Sequence, residues 1–263
     1  MTEPVVLLNV DTRGVATITL NRPEVNNAYN GEVIEAIIDA VGQCASDDKI
    51  RMLIIKGKGK HFQAGADLKW LKEIGSLSPD ENINVSRLTA TAIRGLTEIS
   101  KPTVALIHGG CFGGGTGIAA ACDIVLASND AIFSITETRW GVMASVIIPQ
   151  LNASIGIRNT RRYAFTCERF DAKTACEIGL VHQVCEVGEL EATAASIIDH
   201  LLLAAPEATA QTKAAALKDA NLIISDEYFE ELVLAHAAKR QSEEASEGLT
   251  SFAEKREPNW YRA

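Results

Sequence analysis

No stretch of these 263 residues is basic, long and apolar, or set with paired cysteines, and each absence removes a class of function. Acids outnumber bases by 34 to 25, giving a formal net charge of −9. Such a surface repels phosphate backbones, so no nucleic-acid partner is expected. The apolar run Gly117-Ile118-Ala119-Ala120-Ala121-Cys122 meets Asp123 far short of the ~18 residues of a membrane-spanning helix, so no membrane role is expected. Met1-Thr2-Glu3-Pro4-Val5 has neither the basic start of a secretory signal nor an Arg-rich transit pattern, which points to the cytoplasm. Cys44, Cys111, Cys122, Cys167, Cys176 and Cys185 form no CxxC pair and show no metal-ligand spacing; they read as reduced core thiols. No Gly-Lys-Ser/Thr follows the glycine cluster, which excludes a Walker A loop, and no G-x-S-x-G string marks a serine hydrolase. Internal repeats and low-complexity segments are absent too.

What is present suits a globular protein. Hydrophobic residues form 47% of the chain and charged residues 22%, enough for a sizeable core in one large domain, or one domain with a helical annex. Residues 5–10 and 14–20 alternate apolar and polar around Asp11-Thr12-Arg13-Gly14, as a hairpin does. Val33, Ile34, Ile37, Val41 and Cys44 fall at helical spacing within 30–46. A buried strand over 52–56, a helix opening at 66 or 67 and a long helix ending near residue 100 follow. Strands over 103–108, 123–128 and 131–135 come next. Beyond about residue 153 everything reads as helical, including one continuous helix over 226–247. Strand–helix alternation before a helical run predicts an α/β core over 1–200 and a C-terminal helical region over 201–263.

Two glycine-bearing turns open helices. In Gly113-Gly114-Gly115-Thr116-Gly117 the backbone amides can approach a ligand, and the helix start adds positive potential. Gly115-Thr116-Gly117-Ile118-Ala119-Ala120 also fits a loose G-x-G-x-x-A dinucleotide form, with Glu137 about twenty residues on. The helix behind it is short and the chain begins with a hairpin, which makes a poor dinucleotide unit. The second turn is His61-Phe62-Gln63-Ala64-Gly65-Ala66-Asp67-Leu68, where Asp67 reads as a helix N-cap and Ala-Gly-Ala bares amides. Two such turns would supply two donors to one carbonyl oxygen, an oxyanion hole. Glu137 is either a solvated acid or, among Phe133, Ile135, Trp140 and Val142, a desolvated proton carrier. The histidines (His61, His108, His182, His200, His236) lack ligand spacing. Arg158-Asn159-Thr160-Arg161-Arg162 reads as a solvated helix face or a phosphate contact. Phe252-Ala253-Glu254-Lys255-Arg256 reads as a tail or an adenosine-phosphate contact.

Taken in order, these strings resemble the crotonase (enoyl-CoA hydratase/isomerase) superfamily. The matching segments are Asn21-Arg22-Pro23 with Asn27-Ala28, Ala64-Gly65-Ala66-Asp67-Leu68, Lys101-Pro102-Thr103-Val104-Ala105, Gly113-Gly114-Gly115 with Cys122-Asp123-Ile124, Phe133 with Glu137 and Gly141, and Gly179-Leu180-Val181. The resemblance implies an α/β spiral of ββα repeats with a C-terminal helical trimerisation region, as a homotrimer or a hexamer of two trimers. It implies an acyl-CoA substrate, with coenzyme A as part of that substrate and no metal or other cofactor. It places the oxyanion hole at the Ala66 and Gly114 amides and the catalytic acid at Glu137. Coenzyme A would lie on Ala64, Asp67 and Leu68, with Phe252 and Lys255 closing over it.

At Gly117 the chain departs from the two-carboxylate hydratases, which carry Glu there. One acid is the pattern of Δ3,Δ2-enoyl-CoA isomerases. The flanking segments Thr136-Glu137-Thr138-Arg139-Trp140-Gly141 and Ser145-Val146-Ile147-Ile148-Pro149 resemble instead a bacterial branch that hydrates 3-branched glutaconyl-CoA esters. That branch takes isohexenylglutaconyl-CoA in acyclic terpene breakdown and 3-methylglutaconyl-CoA in leucine breakdown. On that reading Gly117 leaves room for the acyl chain beside Trp140, and Arg139 meets its distal carboxylate. A non-catalytic or RNA-binding member of the superfamily is the reading from another class.

Overall fold

The structure, a computed structural model, describes residues 3–262. The chain opens with the hairpin of β1 (Val6–Val10) and β2 (Val15–Leu20), antiparallel with Val6 opposite Leu20. After α1 (Gly31–Ser46), capped by the Asn30 side chain, β3 (Met52–Gly57) lies parallel to β2. Helix α2 (Leu68–Gly75) and the long α3 (Pro79–Glu98), held by a Ser78–Glu81 capping box, lead into β4 (Thr103–Ile107). Then come β5 (Gly110–Phe112), α4 (Gly114–Ala121), β6 (Ile124–Ser128), β7 (Ile132–Ser134) and α5 (Ile148–Thr166). The remainder is β8 (Phe170–Asp171), α6 (Ala172–Glu177), β9 (Gln183–Cys185), α7 (Leu190–Leu203), α8 (Pro206–Asp219), α9 (Asp226–Arg240) and α10 (Glu243–Ala253).

The repeat is visible in the pairing. A six-stranded sheet runs β1-β2-β3-β4-β6-β9 and a three-stranded sheet runs β5-β7-β8. Each turn of chain gives one strand to the large sheet, one strand or bridge to the small one, then a helix. Thus β3 is followed by the Gln63 bridge to Cys111, β4 by β5 and β6 by β7, each turn stacking in parallel on the last. This is an α/β spiral of ββα repeats. Buried parallel strands carry apolar residues on both faces. In β3, Leu53 and Ile55 face the main core under α1 and α3, while Met52 and Ile54 face a second cluster covered by Ala194 and Ile198 of α7.

Two expectations need correcting. The stretch beyond residue 153 is not all helix: α5 begins at Ile148, and β8 and β9 interrupt the helical run. These strands, two and three residues long, are too short to show a period. Nor is 226–247 one helix. Gln241 ends α9, and the Ser242 hydroxyl accepts from the Ala245 amide to start α10. The break turns both helices back onto their own chain's core. Helix α9 runs antiparallel to α3, tied by Arg94–Asp226 at one end and Arg240–Asn82 at the other. Helix α10 lies on the turn Glu137–Trp140, so close that a Cβ on Gly248 would stand 2.9 Å from the Trp140 Cα.

Candidate active site

The two glycine turns meet because the small sheet zips them together. Gln63 donates from its amide to the Gly110 carbonyl (3.0 Å) and accepts from the Phe112 amide (2.9 Å). Its side chain then fixes the next turn, accepting from the Gly65 amide at 2.8 Å and donating to the Gly65 carbonyl at 3.2 Å. Tyr29 bridges the other side: its amide donates to the Gly65 carbonyl and its carbonyl accepts from the Asp67 amide. Ala66 sits between these bonds, and its own N–H has no acceptor among the described residues. The Gly114 amide, at the first position of α4, has none either. Both line one cavity of about 570 Å³.

The glycines around Gly114 are there for closeness. Gly113 takes a φ of +51°, and a Cβ on it would crowd Thr136 Oγ1 at 3.0 Å and Glu137 Oε1 at 3.3 Å. A Cβ on Gly114 would stand 2.7 Å from the Tyr29 ring, and one on Gly115 2.7 Å from Gln63 Oε1. Glu137 therefore lies directly against the glycine turn. The residue as a whole is half-buried, but its Oε2 is shut away from solvent and has no hydrogen-bond partner among the described residues. Burial pushes its pKa up to about 7, against the smaller opposing effect of the Glu137 and Thr136 backbone amides. The desolvated setting expected from its apolar neighbours is thus present.

Gly117 does not open space. It is buried behind the cavity wall, where a Cβ would run into Ile147, 2.9 Å from the Ile147 Cβ. Ile147 is 2% exposed and lines the cavity itself. The expected vacancy beside Gly117 is filled with hydrocarbon. Trp140 does line the cavity, packed edge-on against Phe252 with ring centroids 4.1 Å apart.

The remaining expected contacts divide between two cavities. Ala64, Asp67, Leu68 and Phe252 line the first. Asp67 also caps α2 through the Lys69 amide (3.0 Å) and pairs with Arg22 at 3.1 Å, so its local structural duties are real. Lys255 and Arg139 lie elsewhere, in an adjoining cavity of about 550 Å³ beyond the Trp140–Phe252 pair. Arg139 is exposed, its guanidinium 5.6 Å from the Trp140 ring centre, and so is not placed to meet an acyl chain in the first cavity. Arg162 pairs with Glu168 at 2.8 Å, as a solvated helix face would.

Among the cavity residues not singled out from the sequence are Tyr29, Thr89, Arg169 and Arg240, and His236 was read only as lacking ligand spacing. His236 and Arg240 come from α9 and stand one turn apart on one face. The His236 ring is buried, lowering its pKa to about 3, and its Nδ1 lies 3.0 Å from Ser86 Oγ. The sequence signal was available: Phe229, Val233 and Ala237 form the buried stripe of α9, and Arg240 continues it.

Similarity to known proteins agrees with this geometry. The enoyl-CoA hydratase/isomerase family model matches residues 11–263. A mitochondrial Delta(3,5)-Delta(2,4)-dienoyl-CoA isomerase from Dictyostelium discoideum is 32% identical, covering 94% of this chain and 88% of its own length. A short-chain-enoyl-CoA hydratase from Clostridium acetobutylicum is 31% identical over 92% of each chain. The crystal structure of an enoyl-CoA hydratase from Mycobacterium avium superposes with a TM-score of 0.87 at 30% identity, covering 99% of this chain and all of that one. Spiral sheet, paired free amides and matched family model together place this chain in the enoyl-CoA hydratase/isomerase family.

Proposed function

We propose that this protein is an acyl-CoA hydro-lyase that adds water to a 3-branched glutaconyl-CoA, of the isohexenylglutaconyl or 3-methylglutaconyl type. The observation that carries the chemistry is a single desolvated carboxyl, Glu137, lying against the Gly113–Gly114 turn that holds one of two unbonded amides. The thioester oxygen sits on the Ala66 and Gly114 amides. Ionised Glu137 takes a proton from water as the water oxygen bonds to C3, and the C2=C3 electrons move onto the thioester oxygen as an enolate. Glu137, now protonated, returns that proton to C2. One proton makes a round trip, so one carboxyl suffices, and a pKa near 7 suits both halves. Cavity residues Ala64, Asp67, Leu68 and Phe252 suit contacts to coenzyme A, with Lys255 reaching any phosphate in the adjoining cavity. Exposed Ile157, Phe165 and Leu203 suit burial between copies in a trimer or a dimer of trimers.

The second reading is a Δ3,Δ2-enoyl-CoA isomerase, in which Glu137 moves a proton between C2 and C4. Ile147 favours it, since a wall of hydrocarbon where a second acid would stand gives water no partner. Enoyl-thioester absorbance separates the two, because hydration of a 2-enoyl thioester removes it and conversion of a 3-enoyl to a 2-enoyl thioester creates it. Crotonyl-CoA, 3-methylglutaconyl-CoA, isohexenylglutaconyl-CoA and a 3-enoyl-CoA are compared, with fastest hydration expected on a 3-branched diacid ester. Turnover confined to the 3-enoyl-CoA makes the protein an isomerase.

A further inference from the structure

Two of the less exposed cations in this chain have an acid beside them, whereas the Arg51 guanidinium donates, among the described residues, only to the Leu202 and Ala204 carbonyls. The Lys213 side chain is 8% exposed and holds Asp123 at 2.8 Å; Arg22 is 16% exposed and holds Asp67 at 3.1 Å. Arg240 is 5% exposed, and among the described residues no carboxylate lies within ion-pair distance of it. Its guanidinium donates only to neutral groups: Nε to Asn82 Oδ1, Nη2 to the Asn82 carbonyl and Nη2 to Ser86 Oγ, each at 2.8 Å. Nη1 has no hydrogen-bond partner among the described residues. Burying a charge without a counter-charge is costly, so the site is incomplete as it stands.

The surroundings hold the charge and aim it. Asn82 is fixed by its own Nδ2 donating to the Ala237 carbonyl at 2.7 Å, which locks the plane of the fork. Arg240 lines the same cavity as Glu137, Ala66 and Gly114. Desolvation lowers its pKa to about 10, which leaves it fully charged at neutral pH, while His236 beside it stays neutral. The other walls near α1 and α3 are mostly hydrocarbon (Ile34, Ile37, Ala92, Ile93), the Thr89 hydroxyl there donating to the Val85 carbonyl, and the cavity's other arginine, Arg169, lies over the Phe112 ring.

We infer that Arg240 is the receptor for a carboxylate carried on the substrate's acyl chain, making it a specificity-determining residue for acidic acyl-CoA esters. This rests on the reading that the cavity takes an acyl thioester, and it moves the anion contact from Arg139 to α9. A planar guanidinium with a free Nη1 edge matches a carboxylate in a way a hydrated lysine would not. A phosphate of coenzyme A is the other anion such a group could hold.

Binding of saturated thioesters tests this without any turnover. Glutaryl-CoA and pentanoyl-CoA have equal chain length and differ in the terminal carboxylate; free coenzyme A is the third ligand, and calorimetry gives each Kd. The native protein is expected to prefer glutaryl-CoA. In Arg240→Met, glutaryl-CoA should weaken about 30-fold or more, while pentanoyl-CoA and coenzyme A change less than about 3-fold. Should that variant fail to fold, Asn82→Asp, which sets an internal carboxylate against Nε, should abolish the preference while raising thermal stability. Equal affinities for both thioesters in the native protein overturn the inference. So does an equal loss of all three ligands in Arg240→Met, which would mean a phosphate contact or a purely structural role. A native preference for glutaryl-CoA that Arg240→Met abolishes, without hydration of any enoyl-CoA, leaves Arg240 as the receptor and removes the hydratase reading instead, whereas a preference that survives in Arg240→Met overturns the inference.

Discussion

Positions 117 and 137, twenty residues apart in the chain, are the two places from which an acid could serve this cavity, and the protein treats them oppositely. At 137 it keeps an ionisable group out of water with one oxygen unsatisfied, which costs stability. At 117 it removes the side chain and closes the gap with Ile147. Ile147 stands in the turn just before α5, and its branched side chain sits over a glycine of α4, so the missing side chain at 117 and the branched one at 147 are one packing solution. The comparison separates a residue retained at a cost, which implies work, from one deleted and sealed over.

The sharpest break of this comparison is Glu137→Gln. The amide keeps the shape and cannot carry the proton, so turnover of whichever enoyl-CoA is used should fall about 10³-fold or more. The folded state should be retained. Activity within a few-fold of native would mean that position 137 is as idle as 117.

The same variant sharpens the comparison through stability. The folded carboxyl has its pKa raised from 4.5 to about 7, so the folded state binds the proton more tightly than the unfolded state does. That advantage is complete below about pH 4.5 and is lost as pH rises through 7. The native protein therefore pays for an ionised, desolvated acid above pH 7, and glutamine does not. Glu137→Gln should match native stability near pH 4.5 and exceed it at pH 8 by on the order of 3 kcal/mol. For a chain of this size that is several degrees in melting temperature, roughly 2–4 °C per kcal/mol. A melting difference that does not change with pH would remove desolvation as the cause.

How much of this was legible beforehand follows from what each residue depends on. Glu137, Ala66 and Gly114 depend on neighbours in sequence: an apolar string, and glycines preceding helices. The opening hairpin rests likewise on a local signal, whereas the ββα spiral was implied only by the family resemblance. Arg240 depends on Asn82 and Ser86, more than 150 residues away, and at the end of α9 it reads first as a cation placed on a helix C-terminus. Tyr29 gains its place from a bridge to the distant Ala66 turn. Gly117 was legible as an absence, but its meaning was not, because the side chain filling it comes from another element. The break at Ser242 was legible and missed: a serine followed by two acids and an alanine is an N-cap signal inside an otherwise continuous run.

The smallest expected effect tests the other half of the comparison. Gly117 lies inside α4, where replacing glycine by alanine ordinarily gains about 0.5–1 kcal/mol. Here the added methyl meets Ile147, in a wall that packs to native density, so Gly117→Ala should instead lose about 1–3 kcal/mol. Shortening Ile147 to Ala removes the branched atoms in the way, at its own cost of about 2–4 kcal/mol for the cavity it leaves. The double variant should then be more stable than the sum of the two singles predicts, by about 1 kcal/mol, read from denaturant melts in a double-mutant cycle. Strict additivity would mean that Ile147 does not seal position 117. In that case the glycine is once again an opening into the cavity, and the contrast with Glu137 collapses into two polar positions of one site.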